Sequence, residues 1–411
     1  MNSSKPAWLR VLSHKNFRLM LGGVFLGHCG TWMQITAIGW FIYEATNDKS
    51  MLALFASAEM IPLALFGPLL GSISDHVDKK KLLIFCELIF VVLAFSGGCL
   101  VSISGIHPIY LAGLAFLEGI NGAIEAPARM TLTSSFIPKE DLTIGIPLQS
   151  STFQAARFIG PVMAGIILKF FGTPTCFFVN AFSYAILFTI VMRMPSQTIS
   201  TSKKKLSMKQ SSKEVFLHIL KEPYLRFLFL LLLAGSLCGS FYVSLVPAFV
   251  KDVLLLDEIG LGQAMGSMGI GGIAALIFLL LIANKSIQKY IAPVAIIGLG
   301  ATLLLLSSIV SPMIAFITLA LAAFSTTTYI VFIRTIGQMI APLHMRGRIL
   351  SIDIWIVFGI AALSYPIFGW LAESTSIQLA LKIGGILTLV AGLTGLSHQK
   401  KMFGLNYNPI N

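Results

Sequence analysis

The 411-residue chain is 56% hydrophobic and only 11% charged, with a mean hydropathy of +0.86. That is far more apolar than a soluble core and its wetted surface require, so a soluble enzyme or a nucleic-acid-binding domain is excluded. The formal charge of +12 therefore needs an explanation other than a polyanionic partner.

Apolar stretches of about 20 residues, each long enough to cross roughly 30 Å of hydrocarbon as a helix, recur along the whole chain. The expected spans are 17–43, 51–74, 82–104, 108–132, 147–170, 174–194, 225–249, 261–283, 290–311, 313–340, 349–371 and 376–397. Strict period-two alternation is absent, which argues against a membrane β-barrel. The first span is too long for a signal-peptide core and lacks a small-residue cleavage pattern, so it is read as retained. The expected fold is all-α and integral to the membrane, with twelve transmembrane helices in two six-helix halves.

Charge placement orients the spans. Lys5, Arg10, Lys15, Arg18, Lys79, Lys80, Lys81, Arg193, Lys203, Lys204, Lys205, Arg346, Arg348, Lys400 and Lys401 fall in segments on one side. The opposite segments carry only Lys49, Lys169 and Lys251. Both termini are expected in the cytoplasm, and the basic excess is a topology signal. The five cysteines, Cys29, Cys86, Cys99, Cys176 and Cys238, show no paired spacing, so neither a disulfide framework nor a metal site is expected.

The polar, basic stretch PSQTISTSKKKLSMKQSSKEVFLHILK divides six spans from six. It sets an N-terminal half at 1–194, a cytoplasmic linker at 195–222 and a C-terminal half at 223–411. The halves repeat an order of features, as transporters built from repeats do. PARMTLTSSFIP closes the fourth span and IRTIGQMIAP the tenth, with Arg129 and Arg334 in corresponding places; GPVMAG at 160–165 then answers to YPIFG at 365–369.

Between spans 2 and 3, GSISDHVDKKK (71–81) resembles the loop signature of the major facilitator superfamily, with His76 and Asp78 where a basic residue and a glycine are usual. Asn16-Phe17-Arg18, Trp32-Met33-Gln34, Pro62, Pro127-Ala128-Arg129 and Arg346-Gly347-Arg348 are similar to the branch that contains the enterobactin exporter and related siderophore or drug effluxers. The resemblance implies a bacterial inner-membrane location and a loop that latches the two halves. Gating roles would fall to Gly71, Asp75, Lys79, Lys80 and Lys81, joined at the inner helix ends by Glu125, Arg129, Arg334, Arg346, Arg348 and Asp353. RFIGPVMAG in span 5 resembles the glycine-proline signature of proton antiporters, through Gly160, Pro161 and Gly165, with Arg157 and Ala164 as departures.

An ionisable group near the bilayer centre costs on the order of 2.5–3.5 kcal/mol on insertion scales, so each needs a partner, a wet cavity or a function. Gln34, Glu59, Glu118 and Arg157 fall near mid-span, and by resemblance they could converge on one wet site. Glu118 and Glu59 are the proton-coupling candidates, because a carboxylate in low dielectric gains proton affinity. A static Glu118–Arg157 pair that only orients the bundle remains the alternative. Asn121, Phe241 and Tyr242 complete the substrate-binding candidates, the two rings as stacking partners for a planar ligand. Glu87 and Asp353, near helix ends, are expected to reach water or loop lysines. His28 and His107 stand alone, which argues against metal or relay roles.

No His-Glu-x-x-His run, Gly-x-Ser-x-Gly elbow or phosphate-binding loop occurs, so catalysis is not expected. The resemblance implies proton-coupled export of a small organic molecule, a siderophore or similar secreted metabolite, by alternating access; the alternative is broad multidrug efflux. The expected partners are the substrate, protons and the lipid bilayer, with no cofactor or nucleic acid. The chain is expected to act as a monomer, and an outer-membrane duct or periplasmic partner stays open.

Overall fold

Proline, glycine and capping carboxylates punctuate a chain that otherwise runs from helix to helix. The computed structural model describes residues 7–66, 77–195, 217–282, 285–342 and 345–403, and among them all regular structure is helical. Two predicted gating residues, Gly71 and Asp75, lie outside the described residues. After a short helix, Ala7–Ser13, come α1 (Lys15–Thr46), α2 (Lys49–Ala58, continued by Met60–Phe66), α3 (Lys79–Val101), α4 (Ile109–Ser134), α5 (Leu142–Phe171) and α6 (Thr173–Arg193). The later helices are α7 (Pro223–Val253), α8 (Glu258–Leu281), α9 (Lys285–Leu306), α10 (Pro312–Ile340), α11 (Arg346–Ser374) and α12 (Ile377–Phe403). Among the described residues, ten helices are long and apolar enough to cross a membrane, or eleven if the bent α2 counts as one span. α1 has the length, 32 residues, but its run is diluted by His28, Trp32, Gln34 and glycines.

Local chemistry accounts for the boundaries. Asp48 caps α2 by accepting from the amides of Ser50 and Met51 at 2.7 and 3.0 Å. α2 then bends by 41° at Glu59, where the Pro62 ring meets the carbonyl one turn back and no amide is left to bond it. Asp78, the departure from the loop signature, caps α3 by accepting from the Lys81 amide at 3.0 Å, a use for a carboxylate that glycine could not supply. α5 and α6 are separated by Gly172 alone, at φ 76° and ψ 171°, a conformation essentially restricted to glycine. α7 and α11 each contain a π-helical turn, Phe249–Val253 and Trp355–Gly359.

Contacts divide the chain into two compact units: Met1–Phe41 with Phe66–Ser202 and Asp257–Gly266, and Ile42–Leu65 with Lys203–Leu256 and Ser267–Asn411. In the first unit α3 packs along α6 and α4, and Met20, Val24, Leu83, Leu132, Leu187 and Val191 bring α1, α3, α4 and α6 to one apolar core. Glycines set the closest approaches. A Cβ at Gly160 would lie 2.7 Å from the Cys29 carbonyl oxygen on α1, and one at Gly165 would lie 2.6 Å from the Glu258 carbonyl oxygen at the start of α8. Gly262 faces back, where a Cβ would lie 2.7 Å from the Pro161 oxygen. Thus the glycine-proline run of α5 is a backbone-to-backbone contact with α1 on one side and α8 on the other. Lys169 and Asp257 close the same end of α5 and α8 with an ion pair at 2.6 Å. In the loop before α8, the hydrogen bond from Lys169 holds the Asp257 carboxyl below the usual carboxylate range. Its contribution is therefore complete at neutral pH and is lost only as pH falls below the ordinary carboxylate value.

In the second unit α9 lies between α10 and α12, and α11 packs along the first segment of α2. The α9–α12 crossing is again glycine on glycine: a Cβ at Gly385 would lie 3.1 Å from the Gly300 oxygen.

Because the atoms opposite Gly262 are backbone and cannot swing away, Gly262→Val should lower the apparent Tm in detergent, at a cost of about 1–3 kcal/mol. Gly113→Val, with nothing within 4 Å of its added Cβ, is the control and should leave Tm nearly unchanged.

Candidate functional site

Polar side chains inside the first unit form a connected set on α1, α4 and α6. Gln34 sits at its centre, 6% exposed. Its amide nitrogen donates to Glu118 Oε1 at 2.9 Å, and its amide oxygen accepts from Asn180 Nδ2 at 2.7 Å. Those two bonds fix the orientation of the Gln34 amide, since only one assignment gives each end a complementary partner. Ser183 donates to the Asn180 carbonyl at 2.8 Å, and Thr31 and Tyr184 join their hydroxyls at 2.8 Å. Gly30 makes this possible: a Cβ there would overlap the Asn180 side chain and lie 3.1 Å from its Cα.

A second cluster lies on α1, α4 and α5. Arg129 binds Glu125 through Nε, one turn back on α4, and donates from Nη1 to His28 Nε2 at 3.2 Å. Arginine has no acceptor, so His28 is the acceptor there and, when neutral, carries its proton on Nδ1. His28 and Trp32, one turn apart on α1, face Phe153 edge-on with centroids 5.1 and 5.8 Å away. The Arg157 guanidinium lies 5.3 Å from the Trp32 ring centroid, within cation–π range. Asn121 donates to the Cys86 carbonyl at 2.9 Å, tying α4 to α3. Glu87 is 1% exposed, so the expectation that it reaches water or loop lysines gives way to a buried carboxylate.

The other predicted residues lie in the second unit or at helix starts. Glu59 is at the bend of α2 and groups with the second unit. Arg334 Nε donates to Asp353 Oδ2 at 2.6 Å across α10 and α11, with Asp353 1% exposed. Arg346 donates to the Ala341 carbonyl at the end of α10 at 3.4 Å. Phe241 is stacked on Phe368 with centroids 3.8 Å apart, and both Phe241 and Tyr242 are buried. Lys79 is buried while Lys81 is exposed.

Sequence reasoning missed three groupings. Asn180, Ser183 and Tyr184 are one: their spacing puts them on one face of an otherwise apolar helix, a signal that was present. The second gathers Tyr43, Glu44, Lys49, Lys251, Asp252 and Glu373 at helix ends of the second unit. Tyr43 bonds Asp252, Lys49 lies 3.7 Å from Asp252 and 3.4 Å from Glu373, and Lys251 lies 3.9 Å from Glu44. The third is Asp141, 3% exposed, which receives Arg10 at 2.7 Å and His14 at 3.3 Å and so ties the first short helix to the start of α5.

A set of buried amides, carboxylates and guanidiniums with no nucleophile aligned to a base suits binding and proton exchange better than bond cleavage. The comparisons place the chain among transporters. The model of the transmembrane secretion effector family, within the major facilitator superfamily, matches residues 7–407. The chain belongs to that family. It is 26% identical over 272 residues to the staphyloferrin A transporter of Staphylococcus aureus, covering 66% of this chain and 67% of that one. It is 20% identical over 392 residues to the multidrug efflux pump Tap of Mycolicibacterium fortuitum, covering 92% and 94%. Among solved structures, the nucleoside transporter NupG superposes with a TM-score of 0.73 at 14% identity, covering 94% of this chain and 99% of that one. The D-xylose-proton symporter gives 0.68 at 15% identity, covering 94% and 97%. The chain is thus a multi-pass membrane transporter of small molecules, and its family and fold are those of transporters rather than enzymes.

Gln34→Leu would strand Asn180 and deprive Glu118 of a donor at once. It should destabilise the protein by about 1–3 kcal/mol for each group left unsatisfied. Thermal unfolding in detergent should show this loss, whereas Gln34→Glu at low pH, where the acid can still donate to Glu118, should recover part of it. Asp141→Asn should release the Ala7–Ser13 helix, read as faster tryptic cleavage at Arg10 with little change in Tm.

Proposed function

We propose that this transporter is an exporter of the bacterial cytoplasmic membrane, with twelve spans and both termini inside. It moves a small organic molecule outward in exchange for protons by alternating access. The observation that carries the reading is the Gln34–Glu118 contact: a carboxylate set among helices, held by a neutral amide donor that serves it whether or not it carries a proton. Glu118 is the primary proton-coupling residue in this reading and Glu59 the second candidate. Gln34, Arg157 and Asn121 are the substrate-orienting candidates of the first unit, and Phe241 and Tyr242 the aromatic candidates of the second. Gly160, Pro161 and Gly165 restrain the antiporter-like α5. Charged pairs at helix ends, Glu125–Arg129 and Arg334–Asp353 with Lys79–Lys81, Arg346 and Arg348, serve the gate, together with Gly71 and Asp75.

The substrate in the first reading is a siderophore, supported by the staphyloferrin A transporter. Multidrug efflux is the second reading and is equally supported by Tap. Iron-chelating activity in the medium and in the cells, after growth without iron with and without the gene, separates them. Loss from the medium with retention in the cells supports siderophore export. If neither pool moves while ethidium accumulates in cells lacking the gene, the multidrug reading replaces it. In either case Glu118→Gln should reduce gradient-driven export at least tenfold while leaving the protein folded; full activity of that variant would refute its coupling role.

A further inference from the structure

Glu87, on α3, faces three charged or titratable neighbours across two helices. Glu125 and Arg129 stand within electrostatic range on α4, and Tyr184 on α6. His28 on α1 reaches the same place through Arg129. The lysines at the start of α3 lie nearly two turns away along the helix. Arg129 is the one cation in this set, and its bonds go to Glu125 and His28. Glu87 Oε2 is fully buried and has no hydrogen-bond partner among the described residues. Two carboxylates therefore share one guanidinium beside an imidazole whose Nε2 accepts from it, which leaves one negative charge in excess among buried helices. A carboxylate in that position takes up a proton more readily than it stays charged.

We propose that the α1–α3–α4 cluster is a proton-binding site distinct from Glu118, with its proton held by Glu87 while Glu125 occupies Arg129. The two carboxylates compete for one guanidinium, so the carboxylate left out is the protonated one. A shift of α3 against α4 that exchanged the partner would also move the proton. This deepens the proton-coupled reading and rests on it only for the use of that proton in transport.

Infrared spectroscopy of the purified protein in nanodiscs at pH 7 tests the site directly, because a protonated carboxylic acid has a carbonyl stretch apart from carboxylate bands. The expected result is a component of that carbonyl band that is present in the wild type and in the Glu59→Gln/Glu118→Gln double variant, and is lost when Glu87→Gln is added to that double variant. Glu125→Gln should lose it too, since Arg129 is then free to pair with an ionised Glu87. Glu87→Gln should also fold as well as the wild type, a neutral amide standing for a neutral acid. A band of the Glu59→Gln/Glu118→Gln background that survives the addition of Glu87→Gln or Glu125→Gln overturns the proposal, as does a Glu87→Gln protein that unfolds where Glu118→Gln does not. Ethidium efflux from proteoliposomes under an imposed pH gradient separates this result from the broader reading. If the wild type shows no gradient dependence, proton coupling fails while the infrared band still decides Glu87. If the wild type responds and Glu87→Gln loses at least tenfold, the site joins the coupling path. A responsive Glu87→Gln removes it from that path.

Discussion

Inside a hydrocarbon layer a polar group has only the protein to bond with, and this constraint organises everything buried here. The hydroxyls of Thr31, Thr36, Ser57, Thr318 and Thr388 bond a carbonyl one turn back on their own helix. Such bonds cost the fold little because they need no neighbour. Carboxylates, guanidiniums and amides have no such local exit. Each must find a partner on the same face or on another helix, and so these residues determine which helices stay together. Gln34 joins α1 to α4 and α6, Asn121 joins α4 to α3, and Arg334 joins α10 to α11.

Short side chains reach a neighbouring helix only if the backbones come close, which gives the glycines their role. Gly30 opens the space in which Asn180 meets Gln34, and Gly160 brings α5 against the adjacent turn of α1. The polar network and the glycine contacts therefore stabilise the same arrangement from two directions, one by bonding and one by steric allowance. α1 is where they meet. Its successive turns present Gly27, His28, Gly30, Thr31, Trp32 and Gln34 to α4, α5 and α6.

Much of this was legible in the sequence where the signal is local. The helical class follows from long apolar runs, and the bend of α2 from Pro62. Arg129 and Arg334 stand in similar sequence contexts, and each pairs with a carboxylate within one turn or one loop. What the sequence did not disclose depends on the rotation of one helix about its axis relative to another. His28 looked solitary because its partner, Arg129, is 101 residues away. Asp141 looked like one more loop charge until Arg10 and His14 closed on it. Glu87 was placed near water by its distance from a helix end, but lateral cover by α4 and α6, not depth along the helix, decides its burial.

The two compact units differ in their buried chemistry. The first unit buries Glu87, Gln34, Glu125 and Asn180 among its helices. The corresponding interior of the second unit is furnished with hydroxyls: Tyr329 is fully buried beside Ser236, Tyr242 and Tyr365, and Thr327 and Thr328 lie on the same helix. Its buried ion pair, Arg334–Asp353, is balanced one to one. A balanced pair has no need to exchange a proton, and a tyrosine or serine stays neutral throughout the physiological range. An excess of carboxylate over guanidinium, in contrast, must be relieved by a proton, and in the first unit that excess falls on Glu87 beside the Glu125–Arg129 pair. In the proposed proton-coupled cycle, the carboxylates that would carry the proton stand on α3 and α4, with Glu59 of α2 as the further candidate.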